Sequence, residues 1–364
     1  MPHPFTPLIA SLPVTVPFTG PEALERQRGV RIRARIGANE SVFGPSPRAV
    51  AAMRAAAAEA WKYGDPENFD LKAALAVHHG VRPENIAVGE GIDGLFGYLV
   101  RMVVEPGVTV ATSAGAYPTF NFHVLGHGGR LVTVPYRADR EDPAALLDLA
   151  RRENARLIYV ANPDNPMGSW HDAATVRQLM AELSDGALLC LDEAYIDFAP
   201  EGTAPPLEPD NPKVIRFRTF SKAHGLAGAR VGYAIGEPAL IRRFDAIRNH
   251  FAVNRMAQAG ALASLADRAH ITWVVAQVAA ARQNIAAIAA AAGLTALPSA
   301  ANFVAIDCGR DGAYAKSVLD GLLERGVFVR MPGVAPLNRC IRVSAGTAED
   351  LAAFAAALDE AVRQ

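Results

Sequence analysis

Seven short apolar runs, separated by segments with helical patterns, constrain the fold of this chain more than any other feature of its sequence. Each run has the length of a β-strand and mostly lacks strict alternation of apolar and polar residues, which is expected where helices cover both faces of a sheet. The runs are NIAVGEG, VTVATS, RLVTVPY, RLIYVANP, ALLCLDEAY, VIRFRTFS and RVGYAIG. Strands that alternate with helices predict an α/β domain with a mostly parallel seven-stranded sheet flanked by helices.

The segments on either side of these runs predict an N-terminal arm and a second domain. Residues 1–38 are a proline-rich arm with one short helical stretch, PEALERQRG. Two helix patterns follow from Pro47, and the second of them should end at Gly80. Beyond the sheet, long helical patterns lead to NFVAIDC, GVFVRMP and CIRVSAG. We therefore predict a large domain over residues 39–245 and a smaller α+β C-terminal domain over residues 246–364.

The bulk composition limits the classes of partner. In 364 residues, 36 Lys and Arg stand against 37 Asp and Glu, so no overall charge attracts nucleic acid or an anionic membrane. The three cysteines lack C-x-x-C spacing, which argues against a disulfide framework or a zinc site and fits a reducing compartment. Prolines interrupt the N-terminus, unlike a secretory signal, and the alanine-rich residues 285–297 are too short to span a bilayer and predict a packed helix. We expect a cytoplasmic protein that binds small molecules, without a metal, nucleic acid or membrane partner.

Polar residues follow four of the apolar runs, at the positions where open α/β sheets bind their ligands. These positions supply the carboxylate of Asp192, the amide of Asn165, the phenol of Tyr195 and the amine of Lys222. Hydroxyl groups and a glycine-rich turn that opens a helix complete the set. A phosphorylated pyridine aldehyde needs an amine to form an imine, an anion beside the ring nitrogen, donors for the phenolic oxygen and a phosphate cradle.

Ordered motifs carry a resemblance to a known family. The segment T-F-S-K-A-H-G-L-A-G-A-R-V-G-Y, residues 219–233, resembles the lysine signature of the class I and II aminotransferases, which are pyridoxal-phosphate-dependent enzymes of fold type I. D-E-A-Y and N-P-D-N-P-M-G precede it in the family's order. The segments A-N-E-S-V-F-G-P-S-P, Y-G-D-P and I-R-V-S-A-G-T narrow the resemblance to the histidinol-phosphate aminotransferase branch. The resemblance covers the chain from about residue 18 to its end.

The resemblance implies a role for each polar group around the cofactor ring. Lys222 would form an imine with the aldehyde of pyridoxal phosphate and then move the proton between substrate and cofactor. Asp192 would pair with the pyridinium nitrogen, which keeps the ring an electron acceptor. Asn165 and Tyr195 would donate to the phenolic oxygen, and Tyr117 would stack on the ring. Lys222, Asp192 and Tyr195 are the predicted catalytic residues.

The resemblance also implies a cradle for the phosphate of the cofactor, at a helix start and beside an arginine. Its members are the backbone N–H groups of Ile92, Asp93 and Gly94, the hydroxyls of Thr219 and Ser221, and the guanidinium of Arg230. Tyr63 is similar to a residue that reaches the phosphate of the neighbouring subunit's cofactor. A homodimer with shared active sites is therefore implied.

Three further residues are implied to bind the substrate. Arg342 matches the arginine whose planar fork grips the α-carboxylate, which lysine cannot do in the same way. Arg330, on the predicted strand GVFVRMP, is a second candidate, for the distal group of the substrate, and Asn39 lies in the substrate-facing motif. Phe18 stands where many relatives carry a tyrosine whose hydroxyl helps bind the substrate phosphate.

The predicted reaction moves an amino group to 2-oxoglutarate from histidinol phosphate or another amino compound, such as an aromatic amino acid. The same residues could serve a decarboxylase of a phosphorylated amino acid such as threonine phosphate, because the bond held perpendicular to the ring is the one that breaks. V-G-E-G-I-D-G also satisfies G-x-G-x-x-G, as in a nicotinamide-dependent oxidoreductase, but no acidic residue ends the next strand to bind a ribose. A binding module without turnover is disfavoured by the presence of Lys222, Asp192 and Arg342.

Overall fold

The structure, a computed structural model, describes residues 3–14 and 18–363. Parts of the predicted arm and of the predicted C-terminal domain, residues 1, 2, 15–17 and 364, lie outside the described residues. The α-helices are α1 (Pro7–Ser11), α2 (Pro21–Arg28), α3 (Pro47–Ala57), α4 (Phe69–His79), α5 (Ile92–Val103), α6 (Pro118–Gly126), α7 (Pro143–Arg152), α8 (Ala173–Ala181), α9 (Pro238–Arg242), α10 (Arg255–Ala266), α11 (Arg268–Ala291), α12 (Gly312–Glu324) and α13 (Ala348–Ala361). The strands are β1 (Ala34–Arg35), β2 (Ile86–Gly89), β3 (Thr109–Ser113), β4 (Arg130–Val134), β5 (Leu157–Ala161), β6 (Leu188–Asp192), β7 (Val214–Thr219), β8 (Gly232–Ile235), β9 (Thr295–Ala296), β10 (Phe303–Asp307), β11 (Val327–Phe328) and β12 (Cys340–Ser344).

Local sequence sets the ends of the helices that precede the sheet. Ser46 caps α3 by accepting a hydrogen bond from the backbone N–H of Ala49, and Pro47 takes the first helical position, where its missing N–H has no partner to lose. Helix α4 ends at Gly80, whose φ of +66° is left-handed and suits a residue without a Cβ. The predicted helix end at Gly80 is confirmed.

All seven apolar runs form strands of one sheet, in the order β2-β8-β7-β6-β5-β3-β4. Strand β8 is antiparallel to both of its neighbours, and the other pairs are parallel. Residues of α5 and α6 join the buried cluster on one face of the sheet, and residues of α7 and α8 join the cluster on the other. The predicted mostly parallel seven-stranded sheet with helices on both faces is confirmed.

The C-terminal part contains an antiparallel sheet of order β12-β10-β9, packed with α11, α12 and α13. Its predicted strand GVFVRMP is wrong in extent, because β11 covers only Val327 and Phe328, which pair in parallel with β1. The chain leaves the strand after Phe328, and the segment from Val329 to Val334 lines a cavity instead. Arg330 therefore lies beyond the strand, where its backbone forms an isolated bridge with Arg342.

Helix α11 differs from the predicted packed helix over residues 285–297. The helix begins at Arg268 and ends at Ala291, and the chain then turns at Gly293, whose φ is +73°. Its length and composition alone are compatible with a membrane span. Val278 and Ile285 on this helix contact the buried core formed with β10, β12 and α13.

Two contacts cross the predicted domain boundaries. Ala34 and Ile36, from the predicted arm, belong to the core of the C-terminal part. Helix α10, from the predicted C-terminal domain, packs against α3 and α4. The boundaries at 38 and 245 stay predictions.

Candidate active site

A cavity of about 790 Å³ lies at the carboxyl ends of β5, β6 and β7. These three strands are parallel neighbours, so the residues that follow them meet at one edge of the sheet. The predicted site residues that line the cavity are Asn39, Ile92, Asp93, Tyr117, Asn165, Asp192, Tyr195, Thr219, Ser221, Lys222, Arg230, Arg330 and Arg342. The topology thus brings residues from both parts of the chain to one site.

Lys222 lies in the wall of the cavity, three residues beyond the end of β7. Its Nζ donates a hydrogen bond to the backbone oxygen of Asn39 over 3.1 Å and lies 5.5 Å from the centre of the Tyr195 ring. Burial, reinforced by the nearby positive charge of Arg342, lowers the pKa of Lys222 to about 8. A larger fraction of this amine than of an ordinary lysine is therefore neutral, and nucleophilic, near neutral pH.

Asp192 ends β6 and is only 5% exposed. One of its oxygens, Oδ2, accepts a hydrogen bond from the hydroxyl of Tyr159 over 2.6 Å. The other, Oδ1, accepts from the backbone N–H of Ala194 over 2.9 Å. Burial raises the pKa of Asp192 to about 6, while these two hydrogen bonds act in the opposite direction. A cationic partner in the cavity would stabilise the ionised form.

Tyr195 forms the centre of a hydrogen-bonded group behind Lys222. Its hydroxyl accepts from Asn39 Nδ2 over 3.0 Å and from Asn165 Nδ2 over 3.4 Å, and burial raises its pKa to about 12. Asn39 has a left-handed φ of +55° and is fixed by Ser344, whose hydroxyl donates to Asn39 Oδ1 over 3.0 Å. The polar atoms of Asn39 therefore hold Tyr195 and Lys222, and its predicted role in binding substrate stays a prediction.

The start of α5 forms a cradle with Arg230. Gly91, the residue before the helix, has a φ of +85°, and a Cβ placed on it would lie 2.5 Å from Arg230 Nη2. Only glycine therefore lets the guanidinium approach the helix start. Thr219 also lines the cavity, and its Oγ1 accepts from the backbone N–H of Ser221 over 3.0 Å. Free N–H groups, hydroxyls and a guanidinium are the donors that a phosphate needs.

Two further guanidinium groups, those of Arg330 and Arg342, line the cavity. Arg342 Nη1 donates to Asn165 Oδ1 over 2.5 Å, and burial lowers the pKa of Arg342 to about 10. Among the described residues, none accepts a hydrogen bond from its buried Nε. Arg330 donates from Nη2 to the backbone oxygen of Thr19 over 3.2 Å and lies over the ring of Phe18, 4.8 Å from its centre. Both cations are thus available to an anionic ligand.

Tyr117 lies between the cradle and these arginines. Its hydroxyl donates to Asp93 Oδ2 over 3.2 Å, and its ring lies 6.4 Å from that of Phe18, at an angle of 23°. Burial, together with the charge of Asp93, raises the pKa of Tyr117 well above its ordinary value. The ring is therefore neutral and lies in the wall of the cavity, where it could stack on a pyridine.

Two predicted site residues do not line the cavity. Gly94 lies in the first turn of α5, where a Cβ would meet the side chain of Glu90. Tyr63 is 75% exposed, and its ring contacts that of Phe251 with the centres 4.6 Å apart. A site within one chain therefore does not use Tyr63.

Several residues with contacts to the site were missed by sequence reasoning. Tyr159 lies inside an apolar run, Asn302 donates from Nδ2 to the backbone oxygen of Asn39 over 3.1 Å, and Ser344 is separated from Asn39 by 305 positions. Glu141 is buried and accepts hydrogen bonds from the hydroxyl of Ser113 over 2.8 Å and from the backbone N–H of Ala161, at the end of β5, over 3.1 Å. Ser344 lies in the segment I-R-V-S-A-G-T, but no periodicity or motif marks the contacts themselves, since each depends on long-range packing.

The donors around the cavity fit pyridoxal phosphate. The cradle at α5 and Arg230 suits the phosphate, and Asp192 suits a protonated ring nitrogen. Asn165 and Tyr195 suit an oxygen on the ring, and Lys222 is the one amine on the described wall. Each functional group of the cofactor therefore has a matching partner.

Known proteins share both the sequence pattern and the fold. Residues 34–358 match the family Aminotransferase class I and II. The chain is 36% identical over 346 residues to histidinol-phosphate aminotransferase of Anaeromyxobacter sp. (strain Fw109-5), which covers 93% of this chain and 94% of that protein. It is similar, with a TM-score of 0.96 and 57% identity over 99% of this chain and 98% of the other, to the crystal structure of histidinol-phosphate aminotransferase from Sinorhizobium meliloti in complex with pyridoxal-5'-phosphate. Aspartate aminotransferase from Thermus thermophilus with maleate is similar in fold alone, with a TM-score of 0.82 and 22% identity over 99% of this chain and 100% of that one.

Proposed function

The chain belongs to the class I and II aminotransferase family and is a pyridoxal-phosphate-dependent transaminase, and from this premise we propose that it moves the amino group of histidinol phosphate to 2-oxoglutarate. The predicted family, fold type and cofactor are confirmed. The similarity to two histidinol-phosphate aminotransferases supports the donor. The choice of acceptor follows from the charge of the cavity.

The observation that carries the choice of substrates is the pair of arginines in the wall of the cavity. Arg330 and Arg342 are joined through their backbones and both line the cavity beside the rings of Phe18 and Tyr117. A donor with a flat ring and a phosphate would place its ring against the aromatic side chains and its anion against the cations. The same pair of cations would hold the two carboxylates of 2-oxoglutarate in the second half of the reaction.

The cofactor would be held at both of its ends. The N-terminus of α5, Thr219, Ser221 and Arg230 would bind its phosphate, and Asp192 would hold its ring nitrogen in the protonated form. When bound, pyridoxal phosphate supplies an aldehyde carbon to which amino groups bond and a ring that withdraws electrons from the amino-bearing carbon of the substrate.

Lys222 would act as the base. Among the described residues that line the cavity it alone carries an amine, and its pKa of about 8 allows the neutral form to take a proton from the amino-bearing carbon of the substrate. Tyr195, held by Asn39 and Asn165, would position its hydroxyl at the phenolic oxygen of the cofactor. Arg342 would fix the orientation of the substrate, which decides the bond that breaks.

A half-reaction assay tests the proposed substrates. The purified holoenzyme is mixed with a single donor, and ketone product and pyridoxamine phosphate are quantified. Histidinol phosphate, phenylalanine, tyrosine and threonine phosphate are compared as donors. The acceptor 2-oxoglutarate is then added to the enzyme that holds pyridoxamine phosphate. We expect the largest kcat/KM with histidinol phosphate and rapid recovery of the aldehyde form with 2-oxoglutarate.

Other outcomes would contradict specific parts of the proposal. A larger kcat/KM with phenylalanine or tyrosine would replace the donor by an aromatic amino acid. If threonine phosphate released carbon dioxide and no pyridoxamine phosphate were formed, the enzyme would decarboxylate that substrate and would not transaminate it. Slow recovery with 2-oxoglutarate, but rapid recovery with another 2-oxo acid, would replace the acceptor.

We also propose that two copies of the chain form a homodimer with shared sites. Tyr63 is 75% exposed and absent from the described wall of its own cavity. Together with Phe251 it forms an exposed pair of aromatic side chains, which suits a surface that a second copy covers.

Mixing of two variants tests the shared site. Tyr63→Ala should weaken binding of pyridoxal phosphate, and Lys222→Ala should prevent covalent capture of the cofactor. If Tyr63 acts across the interface, refolding the two variants together creates one site with both residues and restores capture with near wild-type affinity. Absence of restoration in a dimeric mixture, or a monomer by sedimentation equilibrium, would contradict the proposal.

The location of the protein is proposed to be the cytoplasm. Cys190, Cys308 and Cys340 are free and buried, which supports a reducing compartment. Fractionation of cells that express the chain tests this proposal. Recovery of the enzyme outside the cytoplasmic fraction would contradict it.

A further inference from the structure

Tyr159 is a fully buried residue of β5 that belongs to an aromatic cluster. Its ring is stacked on Phe120, with the centres 4.4 Å apart, and lies edge-on to Phe96 at 5.7 Å. Phe96 in turn contacts Phe217 at 4.8 Å. A phenylalanine would fill the same space, so packing alone does not account for a hydroxyl at this position. A buried hydroxyl without a partner is costly, and this one has a specific partner.

The hydroxyl of Tyr159 is directed at the carboxylate of Asp192. Strands β5 and β6 are parallel neighbours in which Ala161 is paired with Asp192, and Tyr159 precedes Ala161 by two positions on the same face of the sheet. The phenol therefore reaches diagonally along the sheet to Asp192 Oδ2, over 2.6 Å. With the N–H of Ala194 on the other oxygen, both oxygens are fixed by donors of the protein.

We propose that Tyr159 is a positioning residue that keeps Asp192 ionised and oriented toward the ring nitrogen of the cofactor. The inference rests on the proposed role of Asp192. Tyr159 itself lies outside the described cavity wall, so it acts through Asp192 and not by touching cofactor or substrate.

The electrostatics of Asp192 give this hydrogen bond its importance. Burial raises the pKa of Asp192 to about 6, and the hydrogen bond from Tyr159 is the largest of the effects that lower it. The charge of Asp93 raises this pKa and that of Lys222 lowers it, and Cys190, Tyr195 and Glu141 are further titratable groups close to the carboxylate. Without the phenol, a proton would compete more strongly with the ring nitrogen for Asp192 near neutral pH.

The substitution Tyr159→Phe tests the proposal through cofactor affinity. The Kd of the apoenzyme for pyridoxal phosphate is measured across the range from about pH 5 to about pH 9, which brackets the pKa of Asp192 at about 6. We expect about tenfold weaker binding near neutral pH, the order expected for loss of a hydrogen bond to a charged group. The pH below which affinity falls should also move upward, since the carboxyl holds its proton to higher pH.

Tyr233→Phe is the matched control. Tyr233 is also buried, and its hydroxyl is hydrogen-bonded to His79 Nε2 over 2.8 Å, away from the cavity. This control loses a comparable buried hydroxyl and should keep the wild-type Kd and pH profile. The thermal midpoints of both variants establish that each is folded.

The outcomes separate this inference from the proposed function. A wild-type Kd in Tyr159→Phe, or weaker binding by the same factor at every pH, would overturn the positioning role. In an Asp192→Asn background, the further change Tyr159→Phe should leave the Kd unchanged, and an added loss would overturn it as well. If Asp192→Asn itself binds the cofactor as the wild type does, the proposed role of Asp192 fails, and with it the basis of this inference. If only Asp192→Asn weakens binding, the inference alone fails.

Discussion

Arg342 Nη1 donates a hydrogen bond to Asn165 Oδ1 over 2.5 Å, and Asn165 in turn donates to the hydroxyl of Tyr195 over 3.4 Å. The arginine proposed to grip the substrate is therefore linked to the groups proposed to hold the ring oxygen of the cofactor. Arg342 Nη2 also donates a hydrogen bond to the backbone oxygen of Gly37 over 3.4 Å. Asn165 and Gly37 fix the plane of the guanidinium, while its buried Nε has no partner among the described residues.

Arg342→Lys should raise the KM for 2-oxoglutarate and lower kcat/KM for it. A lysine ammonium cannot hold Asn165 and a carboxylate in the same planar fork. We expect kcat/KM to fall about 10- to 100-fold, which corresponds to roughly 1.4 to 2.7 kcal/mol of binding in the transition state. Steady-state kinetics with varied 2-oxoglutarate measure the effect.

Arg325→Lys is the control for this substitution. Arg325 forms an ion pair with the exposed Glu360 over 2.8 Å, away from the cavity, so its kinetics should match the wild type. An unchanged kcat/KM in Arg342→Lys would place the carboxylate site elsewhere.

Capture of the cofactor by Lys222 should accelerate as the pH rises through about 8. Burial and the charge of Arg342 lower the pKa of Lys222 to about 8, and only the neutral amine can bond to the aldehyde carbon. Below that pH the amine is protonated and capture is slow, and above it the rate reaches a plateau. Stopped-flow absorbance of apoenzyme mixed with pyridoxal phosphate gives the profile.

The variants expected to alter this profile are Lys222→Ala and Arg342→Ala. Lys222→Ala should eliminate both capture and turnover while the protein stays folded, whereas Lys213→Ala, at an ion pair with Asp185, should change neither. Removal of the positive charge of Arg342 should move the midpoint to higher pH, because that charge disfavours the protonated amine. A midpoint near the ordinary lysine pKa of about 10.4 would show that the amine is not buried as described.

Much of this site could be predicted from sequence, because its parts follow short runs in the chain. Asp192 and Lys222 each stand at or just beyond the end of an apolar run, and parallel strands bring such ends together. Gly91 ends the first apolar run and precedes a helix pattern, so its position in the sequence indicates the start of α5. Tyr159, in contrast, sits within an apolar run and looks like any core aromatic. Its role depends on the diagonal register of β5 and β6, which the run itself does not report.

Other parts depended on contacts that no local pattern encodes. Strand β8 is antiparallel to its neighbours, and the apolar content of a strand does not specify its direction. The segment around Arg330 has the composition of a strand, but it turns into the cavity wall after Phe328. The motif around Asn39 predicts that this residue belongs to the site, whereas its hydrogen bond with Ser344, 305 positions away, depends on how the chain folds.

Phe18→Tyr should lower the KM for histidinol phosphate. Phe18 lines the cavity with Arg330 over its ring, 4.8 Å from the centre, so a hydroxyl on this ring would add a donor beside the cation. We expect a KM about three- to tenfold lower, the effect of one added hydrogen bond, with little change for a donor without phosphate. Parallel kinetics with histidinol phosphate and phenylalanine test this, and an equal change for both would contradict a role for the hydroxyl at the phosphate.

Glu141→Gln should remove a pH dependence from the stability of the fold. Burial, and then the nearby carboxyl of Asp164, raise the pKa of Glu141 well above its ordinary value. The group is therefore protonated in the folded chain at pH values where it is ionised in the unfolded chain. Its contribution to stability is complete below the unfolded pKa of 4.5 and is lost as the pH rises toward the folded pKa, by up to about 1.4 kcal/mol for each pH unit. Glutamine cannot ionise, so the variant should gain stability relative to the wild type as the pH increases.

The measurement is the free energy of unfolding of wild type and Glu141→Gln by urea, at several pH values above 5, with the cofactor at a fixed concentration in both. Comparison of the two proteins cancels the titrations of Lys222 and Asp192, which are common to both. Glu201 lies on an exposed turn, so Glu201→Gln should show the same change in the free energy of unfolding with pH as the wild type. If the free energy of unfolding changed equally with pH in the wild type and in Glu141→Gln, Glu141 would be ionised in the folded chain. The hydrogen-bond donors to Glu141 and Asp164, which are Ser113, Tyr136 and the N–H groups of Ala161 and Met167, are all neutral. The positive charge of Arg342 would then have to stabilise the ionised pair.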